Sequence, residues 1–143
     1  MKLLMFYWLL GGFASISADD FPAVMAEPNL EKRSEIALQE ADRAITAAKK
    51  AYEEKNLQDF KARVTDVEGL VQLSYKSLQD TGKRARSKPK FFKRAELTIR
   101  ALIRRLDTLA TDVALDDRDV VAQAHKRLNE VHDNVLHDVM TKK

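Results

Sequence analysis

Apolar residues recur along most of this chain at alternating steps of three and four. The clearest run is Phe92, Ala95, Ile99, Leu102, Leu106, Leu109 and Val113. Such spacing is the seam of an α-helix packed at the period of about 3.5 residues found in helical bundles. The opposite face of the same segment carries Lys93, Arg94, Arg100 and Arg104. One helix therefore offers an apolar stripe to its neighbours and a cationic stripe to water.

Three further segments repeat the pattern. The first runs through Leu30, Ser34, Ala37, Ala41, Ala44, Ala48 and Ala51, with Leu38, Ile45 and Tyr52 beside it at seven-residue steps. A stripe of alanines lets a neighbouring backbone come close, and the large flanking residues fill the remaining volume. That argues for close helix packing over a cofactor cavity. The second reads Leu57, Phe60, Val64, Val67, Val71, Ser74 and Leu78. Gly69 falls opposite this seam, where it is expected to cost about 1 kcal/mol with no packing role. The last shows Val121, Ala124, Leu128, Val131 and Val135, then drifts to Val139 and Met140.

Terminal signals bound these segments. Asn29 and Asn56 are good N-caps, and Glu31 favours the positive end of its helix. Gly82 stands where a C-terminal glycine belongs, Ser87 is placed to cap, and Pro89 suits a first helical turn. Asp116, Asp117 and Asp119 give a short turn and an acidic helix start. The expected helices cover about 30–53, 57–81, 88–115 and 117–140. Each would be roughly 37 Å long. Matched lengths and two very short connections predict an all-α fold, an antiparallel up-down-up-down four-helix bundle with left-handed coiled-coil-like packing.

The first 28 residues do not follow the pattern. After Met1 and Lys2 comes an uncharged apolar run at 3–13, then small residues. The run is shorter than the roughly 20 residues that a membrane span needs. Its order is that of a secretory signal peptide over 1–18, cleaved after Ala18 or, alternatively, after Ala26. Ile16 is a less usual residue than alanine before such a cut. An uncleaved anchor and a buried N-terminal helix are the competing structural readings. Export places the protein in the periplasm or outside the cell. Residues 19–28 hold Pro22 and Pro28 and read as a flexible lead.

Composition narrows the chemistry. A chain of 143 residues has room for one cored domain, and 4 Gly with 3 Pro fits long helices with few turns. The absence of cysteine excludes disulfides, thiol nucleophiles, Cys-ligated zinc and a lipobox. Three histidines, His125, His132 and His137, all fall in the last helix. His125 and His132 share a face but lie about 10 Å apart, too far to bind one ion. Asp133 and His137 are suitably spaced, but nothing marks a third ligand, and the Glu-x-x-His motif of di-iron bundles is missing. Met25 and Met140 are poorly placed for haem ligation. Asp112, Asp116, Asp117 and Asp119 lack the glycine and oxygen spacing of a calcium loop. No nucleophile elbow or phosphate loop occurs. The sequence therefore predicts no enzyme, no cofactor and no metal. A metal-binding bundle is the third-ranked reading.

Charge is the strongest remaining feature. Residues 82–105 contain ten cations and one acid, Glu96, while the rest of the chain holds 15 cations and 21 acids. The candidate anion-binding residues are Lys83, Arg84, Arg86, Lys88, Lys90, Lys93, Arg94, Arg100 and Arg104, with Arg105 in the same block. Phe91 and the outward-pointing Leu97 are placed to dip into a lipid interface. The bland alternative is a solvated face balanced by acidic neighbours. The expected role is non-catalytic binding or structural support. The partner would be anionic lipid, lipopolysaccharide, a cell-wall polymer or an acidic protein. Nucleic acid is the alternative partner if the chain is not exported.

Two resemblances are partial. The stretch from Ala48, Ala51 and Tyr52 to Phe60 resembles a tetratricopeptide hairpin, but the next helix is too long for that repeat and no second copy follows. Leu97-Thr98 resembles the start of the Leu-Thr-x-x-Gln motif of periplasmic envelope-stress chaperones. Ala101 stands where that motif has glutamine.

Overall fold

The computed structural model describes residues 21–82 and 89–140. The expected signal segment with its cut at Ala18, the cap at Ser87, and Lys83, Arg84, Arg86 and Lys88 lie outside the described residues. Five α-helices are described: α1 (Pro22–Met25), α2 (Leu30–Glu53), α3 (Leu57–Asp80), α4 (Pro89–Asp112) and α5 (Arg118–Met140). A single 3-10 turn, Leu115–Asp117, leads into α5. The four long helices pack into an all-α bundle. Among the described residues no helix is long and apolar enough to cross a membrane.

The caps act as their chemistry requires. Asn29 accepts from the Lys32 amide at 2.9 Å, and Asn56 from the Asp59 amide at 3.1 Å. At the end of α2 the Asn56 amide donates to the Ala51 carbonyl and the Lys55 amide to that of Tyr52. This is the double closure of a Schellman turn, and it holds Lys55 at φ 63°. Gly82 leaves α3 at φ 71°, where glycine carries no Cβ penalty.

α4 ends at Asp112, three residues before the expected 115. Tyr52 explains the early stop. Its hydroxyl accepts from the Ala114 amide at 2.8 Å and donates to the Asp117 carboxylate at 2.9 Å. Arg118 donates to the Val113 carbonyl at 3.1 Å. The connection from α4 to α5 is thus fastened to the end of α2, and Ala114 is extended rather than helical.

Cross-helix contacts give the topology. Ser34 on α2 meets Ser74 on α3 at 2.7 Å, so the chain reverses between them. His132 and His125 on α5 meet Glu96 and Asp107 on α4, again antiparallel. On the α2–α4 side the register rises together: Arg94 pairs with Glu35 and Arg105 with Asp42. Tyr75 on α3 reaches Asp138 near the end of α5. The bundle therefore consists of two antiparallel hairpins. α2 lies parallel to α4, α3 lies beside α5, and the sequential pair α3 and α4 faces across the diagonal.

The α2–α3 hairpin has the most extensive contact in the molecule. Ala37, Ala41 and Ala48 are fully buried in it, as are Phe60, Val64, Val67 and Val71. The alanine stripe thus does what its small side chains allow, which is to bring two backbones close. Ser34 and Ser74 occupy seam positions without penalty because each hydroxyl satisfies the other.

Two local expectations change. Gly69 is buried, not solvent-facing, because α3 is covered over a wider arc that includes Glu68, Leu70, Leu73 and Ser77. The stretch expected to be a flexible lead carries α1 from Phe21 onward. Val24 is only 3% exposed, and Phe21 and Met25 pack on the core. Arg33 fixes the segment by donating to the carbonyls of Glu27 at 2.9 Å and Met25 at 3.2 Å. A cut after Ala26 would remove this contact, whereas a cut after Ala18 keeps it.

Candidate anion-binding face

α4 is built with two polar sides. Lys90, Lys93, Leu97, Arg100 and Arg104 follow one another at steps of three and four, and all five are exposed. That spacing lines them along the outer face, since residues three and four apart are neighbours on a helix. Leu97 is 57% exposed in the middle of the row. Arg94 and Arg105 turn instead toward α2. Arg94 donates to Glu35 at 2.7 Å. Arg105 donates to the Asp42 carboxylate at 2.6 Å and to the Thr46 hydroxyl at 3.1 Å.

The structure thus divides the sequence-derived set. Lys90, Lys93, Arg100 and Arg104 come together, and Arg94 is moved to the α2–α4 seam. Arg100 is tied by both Nε and NH2 to Glu96, at 3.0 and 2.6 Å. Lys90 lies 5.9 Å from the centre of the Phe91 ring. Among the described residues Lys93 and Arg104 have no ion pair. Phe91 is half-buried and packs on the core, so it does not join Leu97 on the outer face.

Glu96 was legible in the sequence only as the single acid of a basic block. In the structure it is the joint between α4 and α5. Its Oε2 lies 2.6 Å from His132 Nε2 and also receives Arg100. The carboxylate is only 7% exposed. Burial pushes its pKa up, but hydrogen bonds from His132 and Arg100 and their charges outweigh burial and hold it below the usual range. Glu68 on α3 is equally buried, at 6% exposed. There burial dominates, the Arg127 charge recovers only part, and the carboxyl is held above its usual range.

The two glutamates therefore act on stability with opposite signs. Glu96, with its folded pKa depressed, stabilises above its unfolded pKa and loses that contribution as acid protonates it. Glu68, with its folded pKa raised, contributes most below its unfolded pKa and loses that contribution as pH rises through the folded value. Glu68→Gln is thus expected to raise stability at pH 7 by about 1 kcal/mol, with the gain fading toward pH 4. Urea denaturation at the two pH values checks this. A loss at pH 7 would mean that the Arg127 attraction outweighs desolvation.

The remaining candidates sort simply. His125 meets Asp107 at 2.8 Å and Asn129 at 3.0 Å, at the edge of the core. Among the described residues no group of three His, Asp or Glu is placed to hold a metal ion. A groove of about 440 Å³ runs between α2 and α4, floored by Leu38, Ala95 and Leu102 and bridged by Arg94 and Glu35. It contains no nucleophile paired with a base.

Fold and face together define a class: an all-α four-helix bundle with one helix turned cationic side outward. Comparison of the chain with protein-family models, curated proteins and solved structures gives no match.

Proposed function

We propose that this is an exported helical-bundle protein that binds an anionic envelope component, without catalysis, through the outer face of α4. The observation that carries the reading is the surplus of charge on that face. The other arginines of α4 are matched: Arg94, Arg100 and Arg105 each hold a carboxylate. Lys90, Lys93 and Arg104 hold none and stand exposed together. Like charges gathered on one face repel each other, and a polyanion relieves that repulsion. Export rests on the order of charged, apolar and small residues in 1–18. The folding of α1 onto the bundle supports a mature chain that begins before Phe21.

The test is binding to lipopolysaccharide and to soluble polyphosphate across ionic strength. The wild-type chain should bind at low salt and weaken steeply as the Debye length falls to about 8 Å. Replacing Lys90, Lys93 and Arg104 together by serine should cost at least about tenfold in affinity, with the thermal midpoint nearly unchanged, because no described contact is lost. Failure to bind any polyanion at low salt would end the reading. Fractionation tests the export half independently. Intact Met1 in the cytosolic fraction would remove it and move nucleic acid to first place among the partners.

A further inference from the structure

The outer face of α4 holds more than charge. Leu97 sits in the middle of the cationic row, between Lys93 and Arg100, and is 57% exposed. Nothing in the fold uses it. A soluble polyanion would gain nothing from an exposed leucine, whereas a bilayer offers both phosphate and hydrocarbon within a few ångströms. From Lys90 to Arg104 the row is about 21 Å long and straight, which suits a flat surface.

We infer that the anionic partner of this face is a lipid bilayer, met side-on by α4 with Leu97 inserted among the acyl chains. The inference rests on the proposed anion-binding role and names its partner. Lys90, Lys93 and Arg104 sit at headgroup level and meet lipid phosphates. The neighbouring acids do not oppose the approach, because each has its own cation. Glu96 lies beneath Arg100 and bonds His132, and Asp107 pairs with His125 on the α5 side. Glu35 and Asp42 pair with Arg94 and Arg105 on the α2 side. α3 lies across the diagonal from α4, so its outer residues, Thr65 among them, face away from the membrane.

The chain contains no cysteine, so one introduced thiol labels one site. Leu97→Cys and Thr65→Cys, each in the full chain, are labelled with an environment-sensitive fluorophore. They are mixed with vesicles of phosphatidylcholine alone or with phosphatidylglycerol added. The position-specific signal separates this face from any membrane affinity of residues 3–13. With anionic vesicles the probe at 97 should shift to the blue and the probe at 65 should not. The shift should vanish when Lys90, Lys93 and Arg104 are serine.

Unlabelled Leu97→Ser should weaken vesicle binding about fivefold, the worth of half a leucine leaving water, and leave polyphosphate binding unchanged. Equal shifts at 97 and 65, or vesicle binding with no shift at 97, overturns the inference. Polyphosphate binding without vesicle binding sinks the bilayer and spares the anion-binding role. Loss of both sinks that role as well.

Discussion

Leu106→Ala is expected to destabilise the protein by about 3–5 kcal/mol, and Leu102→Ala by about 2–3 kcal/mol. Both leucines belong to the α4 seam and both are buried. They differ in what lies beside them. Leu106 is enclosed completely, so its removal leaves a cavity that the surrounding side chains cannot fill without strain. Leu102 forms part of the floor of the α2–α4 groove, and water or a shifted side chain can occupy the space it vacates. Arg104→Ala is the control, expected within about 0.5 kcal/mol because the side chain is exposed and unpaired. Arg100 would be a poor control. It bonds Glu96, and its loss would leave a buried carboxylate with His132 as its sole hydrogen-bonded partner. Denaturant midpoints for the three variants test the order. A Leu102→Ala variant less stable than Leu106→Ala would show that the groove is closed in solution.

The seams were legible because helix periodicity depends on local spacing. Every seam residue named in the α4 segment, Phe92 through Val113, is buried. The caps at Asn29 and Asn56 were legible for the same reason, since a cap bonds within its own first turn. Long-range placement was not. Tyr52 is 65 residues from Asp117, and nothing local says that its hydroxyl ends α4 early. Arg94 and Arg100 carry the same charge and sit on the same polar side of a helical wheel. Which of them meets Glu35 and which remains outward depends on the neighbouring helix, and therefore on the hairpin packing that places α2 next to α4. The cationic block was thus visible as composition, and its division into matched and surplus charge was not. Glu96 shows the same limit. Its role needs His132, 36 residues away, to arrive on the adjoining face.

The alanine stripe on α2 supplies a test of the closest packing in the molecule. Ala48→Leu is expected to cost about 2–3 kcal/mol, although leucine is nearly as good a helix former as alanine. Ala48 is 0% exposed in the helix pair with the most extensive contact, so three extra carbons must push α2 and α3 apart or force rotamers off their minima. Ala44→Leu, on the same stripe, should cost less, at most about 1 kcal/mol. Ala44 is 8% exposed and borders a groove of about 560 Å³ with Phe21, Ile36, Ala47 and Leu70. A leucine there has room to lie over that groove and cover apolar surface. The backbone and the helix propensity change are alike at the two sites, so the difference isolates the space beside each Cβ. Equal losses, read from thermal or urea unfolding, would mean that the groove beside Ala44 is filled in solution. A gain at Ala48 would mean that α2 and α3 lie farther apart than the stripe implies.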